Sequence, residues 1–230
     1  AGAFGPPMAE WCLARIISHE RRFDLSRADQ FSKQWAASKE VLEYRYLSDL
    51  TLTILGCGEI GLCIARAAKA FGMRVVGYVR QQKHILDPAL DESVTCLTTA
   101  LQQADYIVNV LPSTKETRGL LSLETLGAAS RENGGKCPVL VNVGRGDVTD
   151  TKTLCTALDQ LYLEAAILDV LEQEPLPPDN PLWTHTKVTI SPHVSAMTRA
   201  QDVPKLVLEN YRRYVDQQPL LYVVDWNKTY

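Results

Sequence analysis

From Thr51 onward, short apolar, β-branched runs alternate with stretches in which apolar residues recur every three or four positions. That alternation predicts successive strand-helix-strand units and a parallel sheet. Thr51, Leu52, Thr53, Ile54 and Leu55 form the first run; Ile60, Ile64, Ala67, Ala68 and Phe71 then keep helical spacing up to Gly72, a stop signal. Residues 74–79, 106–111, 138–143, 165–170 and 187–190 predict further strands, apolar enough to be covered on both faces. Asp150 reads as the N-cap of a helix through Thr153, Leu154, Ala157 and Leu158. Helical patterns also occupy residues 8–18 ahead of the sheet and 198–215 after it, where Pro204 predicts a kink or a late start. The expected fold is α/β, a doubly wound parallel sheet with flanking helices.

Composition adds exclusions rather than detail. With 230 residues, 46% apolar and 22% charged, and a net charge of -3, the chain suits one large domain or a large and a small one. Neither disorder nor a nucleic-acid surface is suggested. Its apolar runs are far shorter than the roughly 20 residues of a membrane span, and no charged-then-apolar leader opens it, so a cytoplasmic protein is expected. Six scattered cysteines without a C-x-x-C pair fit reduced, buried thiols. The chain begins Ala1-Gly2 rather than with Met, which points to further sequence upstream.

Gly56-Cys57-Gly58-Glu59-Ile60-Gly61 is G-x-G-x-x-G, directly after a predicted strand and opening a predicted helix. In that setting the first glycine allows the turn, the second lets backbone approach a pyrophosphate, and the third lets helix pack on strand, with the helix N-terminus favouring an anion. An ordinary glycine-rich turn is the bland alternative; the context favours a dinucleotide site of the Rossmann kind. The second strand should then end on an acid if a ribose 2'-hydroxyl is to be bound. Instead Val79-Arg80-Gln81-Gln82-Lys83 carries no carboxylate and two cations suited to a 2'-phosphate, so NADP(H) is favoured over NAD(H). A merely solvated basic turn remains the other reading.

Ligands of doubly wound sheets sit beyond the carboxyl ends of the strands. Three chemically capable residues follow such ends. Arg145 lies within Asn142-Val143-Gly144-Arg145-Gly146, Glu174 follows the strand at 165–170, and His193 closes Ser191-Pro192-His193. Singly, each could be a turn residue, a solvated acid or a structural histidine; jointly, beside a nicotinamide site, a fork-shaped cation, an acid and an imidazole form a catalytic set. His19, His84 and His185 lack such placement.

These residues resemble the D-isomer-specific 2-hydroxyacid dehydrogenases over residues 5–193 and again in the tail. The resemblance rests on the glycine motif, on Leu111-Pro112-Ser113-Thr114-Lys115-Glu116-Thr117, on residues 142–146 and 168–177, and on Ser191-Pro192-His193. Within the family, the basic turn at Arg80 and the closing residues 224–230 are most similar to the glyoxylate/hydroxypyruvate reductases. The resemblance implies that Arg145 grips a substrate carboxylate, that His193 gives a proton to the carbonyl oxygen as hydride arrives, and that Glu174 orients the imidazole. It places Leu111, Pro112 and Thr117 along the cofactor, Asp169 near the nicotinamide amide, and Val143, Gly144 and Ser195 in the same lining. The cofactor set then comprises Gly56, Gly58, Glu59, Ile60, Gly61, Val79, Arg80 and Lys83 with those residues, Arg145 and His193.

Family members carry an N-terminal substrate lobe ahead of the equivalent of Gly5, which this chain lacks. The expected organisation is therefore a dinucleotide-binding domain with its leading helix at 1–195, and a C-terminal helix and tail of the substrate domain at 196–230. The resemblance further implies a homodimer and a small 2-keto or 2-hydroxy acid as substrate. A non-catalytic NAD(P)-sensing protein of the corepressor type is the alternative reading.

Overall fold

The computed structural model describes residues 3–35, 39–81, 87–132 and 137–223. Lys83 and His84, and the closing residues 224–230, lie outside them. The chain runs α1 (Gly5–Glu20), α2 (Phe23–Phe31), β1 (Thr51–Leu55), α3 (Glu59–Ala70), β2 (Arg74–Tyr78), β3 (Glu92–Val94), α4 (Leu97–Gln102), β4 (Tyr106–Asn109), α5 (Leu123–Glu132), β5 (Val139–Asn142), α6 (Thr151–Asp159), β6 (Ala165–Leu168), β7 (Val188–Ile190) and α7 (Val203–Val215). All strand pairs are parallel, in the order β3-β2-β1-β4-β5-β6-β7. The order reverses direction between β1 and β4, which opens a crevice at their carboxyl ends.

Period-two alternation sorts the strand side chains into two cores. Leu52, Ile54, Tyr106, Val108, Val139, Val141, Ala165 and Ile167 join α1 and α3 on one face. Leu55, Ile107, Leu140, Ala166 and Leu168 join α4, α5 and α6 on the other. Each fully buried Leu or Ile contributes about 1.5–3 kcal/mol relative to exposure, so the central strands are fixed from both sides.

The amino ends of the central strands carry a polar tie. Glu20, buried at the end of α1, accepts hydrogen bonds from the Tyr106 hydroxyl at 2.6 Å and from Arg45 Nη2 at 2.5 Å. Asp105 accepts from the backbone N–H of Thr51 at 2.8 Å and lies 3.5 Å from Arg45. This anchors the entry to β1 at the end of the sheet opposite the crevice.

The sequence expectations need several corrections. The strand runs stop one or two residues early, because the chain leaves the sheet to form the crevice loops: β2 ends at Tyr78, β4 at Asn109 and β6 at Leu168. The pattern at 198–215 becomes a helix only at Val203, with Pro204 in its first turn, which is the late start that Pro204 allowed. Elements α2, β3, α4 and α5 had no counterpart in the pattern. Of the six cysteines, all free as expected, only Cys12 is fully buried and Cys96 is exposed. Asp150 caps α6 as expected, its side chain accepting from the Thr153 N–H at 2.8 Å.

Candidate functional site

The glycine turn joins β1 to α3 at the centre of the crevice. Gly56 sits at φ 102°, a conformation that a side chain would strain. A Cβ on Gly61 would stand 2.1 Å from the carbonyl oxygen of Gly56, so only glycine lets α3 come this close to the turn. Around Gly58, no heavy atom of the described residues lies within 4 Å of where a Cβ would stand. The three glycines thus divide as their spacing predicts: turn, open approach and close packing. The N-terminus of α3, whose first helical bond is Leu62 N–H to Gly58 at 2.9 Å, faces this opening. A pyrophosphate group fits there, since it needs space beside the backbone and the positive end of a helix dipole.

Val79 and Arg80 follow β2 on the next strand, Arg80 being exposed. Arg80 is among the cations acting on Glu116, whose carboxyl is held below its usual range first by the Thr114 hydroxyl. This brings the basic turn and the loop after β4 to the same rim. That loop is braced from within: the Thr117 hydroxyl donates to the carbonyl of Pro112 at 2.6 Å and accepts from the Thr114 N–H at 2.8 Å. From the C-terminal segment, the Tyr222 hydroxyl reaches Glu59 at 3.3 Å, at the first turn of α3.

Arg145, Glu174 and His193 follow β5, β6 and β7, three neighbouring strands, so all three stand on one edge of the sheet. Arg145 is exposed and its Nη1 donates to the carbonyl of Gly144 at 2.7 Å. The glycines flanking it are steric necessities. A Cβ on Gly144 would lie 2.8 Å from the Leu111 carbonyl oxygen, and one on Gly146 would lie 2.0 Å from that of Leu171. The Arg145 turn is therefore wedged between the loops that follow β4 and β6.

His193 Nδ1 and Glu174 Oε2 lie 2.8 Å apart, an ion pair or a charge-assisted hydrogen bond according to the ring's proton. The other oxygen of Glu174 accepts from the Leu171 N–H at 2.9 Å, so the acid is itself oriented. The imidazole remains 53% exposed, available to a substrate on its other face. Asp169 is 1% exposed. Its carboxyl lies below the usual range: burial opposes ionisation, and hydrogen bonds from Ser191, Ser195 and Val194 outweigh it. Ser195 is buried, with its N–H 2.8 Å from Asp169 Oδ2. His19 and His185 are structural, paired with Glu164 and Asp159.

Sequence reasoning missed two groups of supporting residues. Asn109 and Asn142, in register at the ends of β4 and β5, are fully buried, and Asn109 Nδ2 donates to Asn142 Oδ1 at 2.8 Å. Asn109 Oδ1 accepts from the Leu111 N–H, and Asn142 Nδ2 donates to the carbonyl of Arg145, so this amide pair ties the cofactor loop to the arginine turn. An asparagine ending each of two apolar runs was the available signal. Ser191, bonded to Asp169 at 2.5 Å, had no signal beyond its place beside Pro192 and His193.

Known proteins match this arrangement. Residues 13–195 match the family described as D-isomer specific 2-hydroxyacid dehydrogenase, NAD binding domain. An NADPH-dependent glyoxylate/hydroxypyruvate reductase from Sinorhizobium meliloti, solved with NADP and sulfate, is 28% identical with a TM-score of 0.86, over 99% of this chain and 71% of that one. A D-isomer specific 2-hydroxyacid dehydrogenase family protein from Aeromonas salmonicida is 39% identical with a TM-score of 0.84, over 98% and 70%. Another from Xanthobacter autotrophicus, solved with NADPH and MES, is 28% identical with a TM-score of 0.83, over 99% and 90%.

Proposed function

We propose, from the premise that this chain belongs to the D-isomer-specific 2-hydroxyacid dehydrogenase family, that Arg145, Glu174 and His193 reduce a small 2-keto acid such as glyoxylate or hydroxypyruvate with NADPH. The observation that carries the reading is the 2.8 Å pair between His193 and Glu174, set on the sheet edge that also bears Arg145. When bound, the nicotinamide supplies the hydride. Arg145 pairs with the substrate carboxylate and holds the ketone beside the crevice. His193 donates its proton to the carbonyl oxygen, so that hydride on carbon and proton on oxygen give the 2-hydroxy acid. Glu174 keeps the imidazole turned toward the substrate. Nothing in the site or in the similar proteins favours the non-catalytic alternative.

Gly56, Gly58, Glu59, Ile60 and Gly61 would hold the pyrophosphate, and Val79 and Arg80, with Lys83 beyond the described residues, the 2'-phosphate. Leu111, Pro112, Thr117, Val143, Gly144, Asp169 and Ser195 would line the nicotinamide half. NADP or NADPH in two similar structures supports this preference. Residues 1–195 are read as the dinucleotide-binding domain and 196–230 as part of a substrate domain; supporting this, α7 contributes no buried residue to either core. The exposed apolar side chains of Phe23, Phe31 and Trp35 support a homodimer through α2. Free cysteines fit the cytoplasm, and no helix among the described residues is long and apolar enough to cross a membrane.

Following NADPH oxidation with glyoxylate tests the reading. Arg145→Ala is expected to lower kcat/KM by about a hundredfold or more, the worth of two charge-assisted hydrogen bonds. Turnover equal to the parent would contradict the role of Arg145, and equal efficiency with NADH would contradict the cofactor assignment.

A further inference from the structure

The reactive imidazole is half exposed, yet its backbone is closely held. His193 stands at φ 54°, a left-handed conformation that is unfavourable for a non-glycine residue and persists only where its surroundings impose it. They do so through Asp169. The His193 N–H donates to the Asp169 carbonyl at 2.9 Å. The Asp169 carboxylate accepts from the Ser191 hydroxyl at 2.5 Å and the Val194 N–H at 2.9 Å on one oxygen, and from the Ser195 N–H at 2.8 Å on the other.

Four donors, one from His193 and three from residues on both sides of it, thus converge on one buried residue. Pro192, with its fixed φ, stiffens the link between Ser191 and the histidine. In α1, burial first and the charge of Asp169 second push the pKa of the Cys12 thiol up, so it stays neutral. Stabilisation of this buried charge therefore falls heavily on the loop's own donors.

We propose that Ser191 is a positioning residue: its hydroxyl, bound to the buried carboxylate of Asp169, closes the clamp that holds His193 in its left-handed conformation with its ring on Glu174. Without the hydroxyl the carboxylate is underpaired and free to rotate, and the Val194 and Ser195 bonds loosen with it. The imidazole then loses its fixed direction while the glycine turn, on another strand, is untouched. This rests on the reading of His193 as proton donor.

A double-mutant cycle tests it with NADPH and glyoxylate. Ser191→Ala is expected to lower kcat about tenfold at saturating NADPH, the scale of one hydrogen bond. In the His193→Ala background the same substitution should cause no further loss, and Ser191→Thr, which keeps the hydroxyl, should restore kcat. Equal slowing in both backgrounds would overturn the proposal, as would a folded Ser191→Thr as slow as Ser191→Ala. Should Ser191→Ala not fold, Ser191→Cys, a weaker donor of similar size, replaces it in the cycle. Independently of turnover, amide hydrogen exchange at residues 193–195 of the cofactor-free chain should quicken about tenfold in Ser191→Ala. Unchanged exchange there would also overturn it. Parent-like turnover in His193→Ala would instead remove the catalytic reading, and the exchange result would still decide whether the clamp exists.

Discussion

Asp169 is the residue on which most of the site's order converges. Its carboxyl, below the usual range because the hydrogen bonds from Ser191, Ser195 and Val194 outweigh the burial that opposes ionisation, links stability to pH. A lowered folded-state pKa contributes stability that is fully present above the unfolded value, about 4, and is lost as pH falls through the folded value. Asp169→Asn should therefore be less stable than the parent near pH 7 and lose less on acidification, so that urea midpoints of the two converge below pH 4. Parallel midpoint curves would show that this carboxylate is not linked to folding. Among residues, Arg145, Glu174 and His193 were legible because each follows an apolar run, and strand ends are where such folds place chemistry. Asn109, Asn142 and Ser191 were not, because what matters in them is a partner brought near by folding.

At the scale of elements, the join of β1 to α3 depends on one missing side chain. Gly61→Ala would place a Cβ 2.1 Å from the Gly56 carbonyl oxygen, forcing α3 away from the turn. Dinucleotide affinity should fall at least tenfold and the unfolding midpoint should drop; a variant binding NADPH like the parent would refute the assignment of this turn. The central strands and α3 were readable because both faces of the sheet are covered and helical spacing survives between Ile60 and Phe71. Of the four missed elements, α5 packs Leu126 and Ala129 into a core and its pattern went unread, while the other three left little to read. Helix α2 buries nothing, so no apolar stripe marks it. Strand β3 is three half-buried edge residues, Glu92, Ser93 and Val94, and α4 is six residues long. Where a segment is this short or carries so few spaced apolar residues, hydrophobic periodicity has little to record.

Across the whole molecule, two cores hold the sheet while large apolar side chains at the two ends of α2, just beyond it and along α7 stay exposed. Phe31 is 73% exposed and Trp35 99%, beyond what isolated surface residues explain when Phe23 joins them. If these residues form the dimer contact, sedimentation should find a dimer at micromolar concentration, and Phe31→Glu with Trp35→Glu should give a monomer of unchanged helix content. A parent that sediments as a monomer would contradict the homodimer. On α7, Val207, Leu208, Tyr211 and Tyr214 are likewise exposed, consistent with a surface made for a further lobe. The Glu174 and His193 pair lies at the opposite end of the sheet from the Glu20, Arg45 and Asp105 tie, so the proposed site stands apart from that tie. The most direct measurement is single-turnover oxidation of bound NADPH by glyoxylate in His193→Ala. A rate lower by about a hundredfold to ten-thousandfold with NADPH bound to saturation is the result expected of a proton donor; a rate equal to the parent's would contradict it.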